Sequence, residues 1–254
     1  MIDTHCHLNF NVYDGDRTDV INNAKKAGIS RIITPGVNYE SNLRSLSLAD
    51  DQPDFIYPAI GFHPYESKDN PEVRTLKKMI SKKVIAIGEC GLDYHLYSDE
   101  PAAGKKEVQK ILFMEQAALA IHYDLPLIIH CRNAFPDLFT ALDGLPKMPR
   151  GVVHCFSGGL QDARMAIERG LFIGIDGNIT FSKHLQQILP VIPVDRLLLE
   201  TDSPYLTPIP HRGKRNEPKY LIHSAKFIAG LYEKTVETIS ELTDSNAFRL
   251  FHFA

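Results

Sequence analysis

The sequence predicts an α/β fold, a (β/α)8 barrel of TIM type with extra helices at its C-terminal end. Three observations carry this. Eight short runs rich in Ile, Val and Leu alternate with longer amphipathic segments, the pattern of a parallel sheet buried on both faces. The length of 254 residues suits one such barrel, which typically takes about 250. Imidazoles and carboxylates recur at the ends of the apolar runs, where barrels gather their active-site residues. The competing architecture is an open doubly wound sheet, but a count of eight favours closure.

The strands are expected over residues 1–5, 31–34, 55–60, 84–88, 126–130, 151–154, 172–176 and 197–201. Helices are expected between them over 19–27, 40–49, 72–81, 106–123, 136–142 and 160–169. Gly28 and the pair Arg169-Gly170 read as C-terminal stops. The segment 204–218 holds four prolines and a basic cluster and reads as a loop after the last strand. Two closing helices follow, at about 218–231 and 236–251. No internal repeat or boundary interrupts the pattern, so residues 1–254 are expected to form one domain.

Composition narrows the class. Hydrophobic residues make up 44% and charged residues 23%, enough for a sizeable core and too apolar for a disordered chain. No apolar run approaches the roughly 18 residues of a membrane span. Chemistry-bearing residues begin at position 3 with no basic and apolar leader before them, so no cleaved leader is expected, and the expected location is cytoplasmic. Cys6, Cys90, Cys131 and Cys155 each neighbour a candidate ligand. On a strand that places them on the opposite side, so they read as small packing residues, with ligation a minority alternative. No C-x-x-C pair occurs, and disulfides are not expected in the cytosol. The net charge of -3 gives no general basic surface for a polyanion. Nucleic-acid binding must then come from a local site.

The stretch Asp3-Thr4-His5-Cys6-His7 aims two imidazoles at one spot if it is extended. By itself this is a weak sign of metal binding. It gains force from Glu89, His130, His154 and Asp202, each at the end of another run. Taken alone, Glu89 would cap a helix, Asp202-Ser203-Pro204 would be a turn, and His130 would be a hydrogen-bonded structural residue. Six such residues at five strand ends are better explained as one metal site. Four imidazoles and two carboxylates exceed the three protein ligands of a usual catalytic zinc and suit two divalent ions, with Glu89 bridging. Such a centre attracts phosphate and suits phosphodiester hydrolysis by a metal-activated water, with Asp202 orienting the water or taking its proton. His63, in Gly61-Phe62-His63-Pro64, is either a substrate-side acid or base or a turn residue. Glu200, two before Asp202, is a candidate partner for a ligand. The run His211-Arg212-Gly213-Lys214-Arg215-Asn216 is either solvated loop or a phosphate grip. Arg212, Arg215 and Asn216 are its candidate contacts.

With these residues in view, the chain resembles the TatD family of metal-dependent deoxyribonucleases within the amidohydrolase-like metal hydrolases. The resemblance rests on Ile2-Asp3-Thr4-His5-Cys6-His7-Leu8, Gly61-Phe62-His63-Pro64 and Ile87-Gly88-Glu89-Cys90-Gly91-Leu92-Asp93-Tyr94. It continues through Pro126 to Arg132, His154-Cys155-Phe156-Ser157-Gly158, Leu199 to Leu206 and Arg212 to Pro218. It implies a distorted TIM barrel and a metal site on His5, His7, Glu89, His130, His154 and Asp202. It also implies substrate-side roles for His63 and the loop 212–216, and 3′→5′ exonuclease or DNA-repair activity on single-stranded or damaged DNA ends. The ions would be Mg, Mn or Zn. A histidine-rich set favours the softer metals, since magnesium prefers oxygen ligands. A monomer acting on DNA is expected, with no membrane association. The alternatives are a deacylase acting on D-aminoacyl-tRNA with the same metal centre, a small-molecule amidohydrolase or lactonase, and a non-enzymatic binding protein. The intact ligand set argues against the last.

Overall fold

The computed structural model describes residues 1–98 and 100–253. Its main sheet has eight parallel strands, β1 (Ile2–Asp3), β2 (Arg31–Pro35), β3 (Ile56–Ile60), β4 (Ala86–Asp93), β7 (Leu127–Arg132), β8 (Gly151–Val153), β9 (Phe172–Ile175) and β10 (Leu197–Leu199), adjacent in that order. The first and last strands meet through scattered bonds rather than a regular ladder. Thr4 N donates to Leu199 O at 3.0 Å, His7 N to Ser203 O at 2.8 Å and Asp202 N to His5 O at 2.9 Å. Cys6 and Ser203 form a parallel bridge. The barrel is therefore nearly closed, with an irregular seam.

Strand alternation sorts the apolar residues into two layers. Ile33, Ala59, Ala86, Ile128, Val152, Phe172 and Leu198 form one buried cluster, the barrel interior, together with Ile2. Their neighbours, including Ile32, Ile60, Ile87, Ile129, Val153 and Ile173, belong to the larger cluster under the outer helices. Ala247, Leu250 and Phe251 of α9 (Val236–Phe251) join the interior cluster. The last helix thus plugs the end where the strands begin and leaves the opposite end free for chemistry.

The helices α1 (Arg17–Lys26), α2 (Tyr39–Asp51), α3 (Arg74–Lys77), α4 (Lys106–Tyr123), α5 (Phe135–Asp143), α6 (Leu160–Glu168), α7 (Lys183–Ile188) and α8 (Leu221–Leu231) connect the strands or follow them. Local sequence sets their ends. Asn38 accepts from Ser41 N at 2.9 Å while the Ser41 hydroxyl accepts from Asn38 N, a reciprocal cap on α2. Thr235 caps α9. Among the described residues no helix is long and apolar enough to cross a membrane.

Three expectations need correction. The helix expected over 72–81 is one turn, because Val73 and Leu76 alone of its first turns are buried and the lysines beyond have no face to hide. The first strand stops at Asp3, where the chain leaves the ladder to make the seam. The strand expected over 84–88 starts at Ala86 and runs on to Asp93, through a register shift against β7 between Ile87 and Cys90. Gly91 permits this: a Cβ there would lie 1.9 Å from His130 O. Two elements had no counterpart in the sequence reading, α7 and a small antiparallel hairpin, β5 (Leu96–Tyr97) with β6 (Glu100–Pro101).

Candidate metal centre

Glu89 lies in the middle of β4, 3% exposed, and its two oxygens face different partners. Oε2 is 3.4 Å from both His5 Nε2 and His7 Nε2. Those two nitrogens are 3.1 Å apart, and each is 3.6 Å from Asp202 Oδ1. Oε1 is 2.8 Å from His154 Nε2, 3.0 Å from His130 Nδ1 and 3.4 Å from His63 Nε2. All six predicted ligands therefore converge, with His63 beside them.

Donor spacing tests whether the set fits a cation. Four donors about 2.1 Å from a tetrahedral ion lie about 3.4 Å from one another. The groups His5–His7–Glu89, Glu89–His130–His154 and His5–His154–Asp202 each bring their donor atoms within 4.8 Å. Nitrogen and carboxylate oxygen suit transition-metal dications. The ring tautomers agree. His7 Nδ1 lies 3.3 Å from Pro35 O, and the neutral ring meets a carbonyl only as a donor, so Nε2 is free to ligate. His130 presents Nδ1 to the site and turns Nε2 to Asp93 Oδ2 at 3.0 Å. His154 Nδ1 faces Glu200 Oε1 at 3.8 Å without a hydrogen bond. The residues fit a metal centre.

Burial and charge act differently on each group. Burial pushes the Glu89 carboxyl upward, but His154, His63 and His130 outweigh it and hold it well below the usual range. Asp202 is pushed well up by burial, then by the neighbouring charges of Glu89 and Asp176. Burial lowers His5, reinforced by His154. Burial also opposes charge on His130, yet its bonds to Asp93 and Glu89 bring it up to about 9. Metal must therefore displace a proton there.

His63 has a separate part. Its Nδ1 accepts from Tyr65 N at 3.2 Å, which places the ring proton on Nε2, toward Glu89. Burial and then His130 lower its pKa to about 3. The ring is thus a neutral donor facing the site, as well as the N-cap of the turn that follows it.

Above these groups opens a cavity of about 710 Å³ that contains His63, Tyr65, Tyr97, Arg132, Tyr205 and Phe10 in its wall. Arg132 pairs with Asp93 at 2.8 Å and donates to Tyr65 Oη at 2.7 Å and Tyr97 Oη at 3.2 Å. Sequence reasoning gave roles to none of Asp93, Arg132 and the three tyrosines. The signal existed for two of them: Asp93 is four past Glu89 on one strand and Arg132 two past His130 on another, so each shares its ligand's side.

The basic loop is placed differently. Asn216 is fully buried and donates to Thr201 O at 2.9 Å and Tyr205 O at 2.6 Å. Arg215 is held by Asp16 at 2.5 Å and lies over the Tyr13 ring. Arg212 stacks on Phe181, 3.6 Å from the ring centroid. None of the three lines the cavity. These donors of Arg215 and Asn216 tether the loop rather than face the cavity. Glu200 is fully buried and accepts from Cys155 N at 2.5 Å. Gly174 makes room for it, since a Cβ there would lie 2.5 Å from its carboxylate.

A parallel barrel with clustered imidazoles and carboxylates beyond its strand ends is the architecture of a metal-dependent hydrolase. The model of the TatD related DNase family matches residues 2–252, and the chain belongs to that family. The metal-dependent hydrolase YabD of Bacillus subtilis, itself uncharacterized, is 42% identical, over 99% of this chain and 98% of its own. The 3′-5′ ssDNA/RNA exonuclease TatD of Erwinia billingiae is 36% identical, over 99% and 98%. The crystal structure of YjjV, a TatD homologue from Escherichia coli K12, superposes with a TM-score of 0.90 at 32% identity, covering 100% of this chain and 98% of that one.

Proposed function

We propose that this hydrolase is a 3′→5′ exonuclease on single-stranded nucleic acid. The observation that carries the reading is the convergence of six ligand side chains, four of them imidazoles shared between the two oxygens of Glu89, at the floor of a cavity walled by aromatic rings and an arginine. Relatives named as ssDNA/RNA exonucleases support the substrate class and do not favour the deacylase alternative.

In this reading His5, His7, Asp202 and Glu89 would hold one ion, and His130, His154 and Glu89 would hold the other. Two divalent ions so held supply a polarised phosphodiester and a water of lowered pKa. Asp202 takes the proton of the attacking water as the new P–O bond forms, and the 3′ oxygen leaves as its own P–O bond breaks and takes up a proton from solvent. His63 Nε2–H steadies a phosphate or leaving oxygen by hydrogen bonding and keeps its proton, since its other nitrogen is already occupied. Tyr65, Tyr97 and Tyr205 offer faces on which bases stack, and Arg132 supplies the positive charge at the mouth.

The test is a single-stranded oligonucleotide labelled at its 5′ end, incubated with protein supplied separately with Mg, Mn or Zn. The expected result is a ladder that shortens progressively from the 3′ end and is absent with chelator. No degradation with any of these ions, or equal degradation by Glu89→Gln, would overturn the proposal.

A further inference from the structure

A second cleft of about 490 Å³ adjoins the metal cavity, within the size range of small-ligand sites. The two share Phe10, Val37 and Tyr205 in their walls. Tyr205 is 56% exposed and stands where one passes into the other. The cleft's own side chains are suited to a nucleotide. Val12, 51% exposed, and Val37 give apolar surface. Arg44 lies at the wall with its guanidinium shared between Glu40 and Asn11. Asn9 gives a further sign. It is 1% exposed, and its amide donates to both Pro35 O and Ser41 O at 3.0 Å. That fixes its orientation and leaves Oδ1 buried with no partner. A buried acceptor of this kind is costly unless something donates to it.

We infer that this cleft is a second nucleotide subsite, taking the nucleotide adjacent to the one in the metal cavity. Tyr205 divides the two bases, and Asn9 Oδ1 accepts from a base amine or imide. The inference rests on the exonuclease reading. It adds that the enzyme grips two nucleotides on opposite sides of Tyr205, so a strand binds more tightly than a single nucleotide.

The experiment compares two substrates on the whole chain with its metal supplied: the p-nitrophenyl ester of thymidine 5′-phosphate, which fills one site, and a ten-residue oligothymidylate, which fills both. Val12→Glu and Arg44→Gln alter the cleft alone. Each should raise KM for the oligonucleotide by about tenfold, in the range one base contact is worth, and leave the ester within about twofold. Tyr205→Ala should weaken oligonucleotide binding and Tyr205→Phe restore it, since stacking needs the ring and not the hydroxyl. Unchanged oligonucleotide KM in both cleft variants, or an equal loss on both substrates, would overturn the subsite while leaving the exonuclease reading intact. A wild-type enzyme that cleaves the ester but not the oligonucleotide would instead overturn that reading, and the subsite with it.

Discussion

The two sides of Glu89 are built from the same kinds of ligand but not for the same surroundings. Around Oε2, His5, His7 and Asp202 sit deep in the barrel seam, and His5 has no solvent exposure. Around Oε1, the His130 side chain is 17% exposed and is backed by Asp93, which is backed in turn by Arg132. The inner side carries an extra carboxylate among its ligands. The outer side keeps its carboxylate one residue removed, where it orients an imidazole and raises that imidazole's affinity for protons. If Glu89 bridges two ions as proposed, the difference teaches that a shared bridge need not imply equal halves. The inner half would gain from ligand charge, whereas the outer half would lose a proton as it binds.

The largest expected effect removes the bridge. Glu89→Gln should lower hydrolysis by more than the ~10–100-fold typical of changes one shell further out, and metal analysis should find both halves depleted. Retention of full metal content would break the bridging assignment. Next comes a selective pair. Asp202→Asn and His130→Gln should each lose the metal of one half, so that elemental analysis falls from about two equivalents to about one. If both variants lost both ions, the halves would be one cooperative unit rather than two.

Asp93→Asn sharpens the contrast through pH. In the metal-free protein His130 is held at about 9 against an ordinary 6.5. A raised folded pKa stabilises the fold fully below about 6.5, and that contribution fades as pH rises through about 9. The variant should therefore lower the metal-free Tm at pH 6 more than at pH 10. It should also shift the onset of metal loading to lower pH, since a less basic His130 gives up its proton more readily. An identical loading profile would remove Asp93 from the outer half. The smallest effect is expected from Arg215→Gln, which touches neither half. Loss of its surface pair with Asp16 should cost less than about 1 kcal/mol, seen as a slight fall in Tm with KM for oligonucleotide unchanged. A raised KM would return this arginine to the substrate path.

The legibility of these parts in the sequence follows from their periodicity. His5, His7, His130 and His154 could be placed because strand ends repeat one geometry around a barrel. The eight apolar runs gave the strand count for the same reason. The position of Glu89 within its strand was hidden, because a register shift against β7 has no periodic trace. The hairpin bearing Tyr97 escaped because two-residue strands carry no alternation to read. The placement of Arg215 and Asn216 was hidden for the opposite reason: a basic run looks alike whether its charges face a ligand or fold back onto Asp16. Asn9 gave no signal at all, since its unpartnered oxygen is a property of the packed structure.

The irregular seam has a consequence for when the protein becomes an enzyme. His5 and His7 lie on one side of it and Asp202 on the other, joined by the bond from Asp202 N to His5 O. During synthesis the two imidazoles emerge long before the aspartate, which arrives only after all eight barrel strands have been made. Long-range pairings of this kind close late in folding. A growing chain thus carries the two imidazoles without the aspartate that faces them, and the cluster is complete only once the seam has closed.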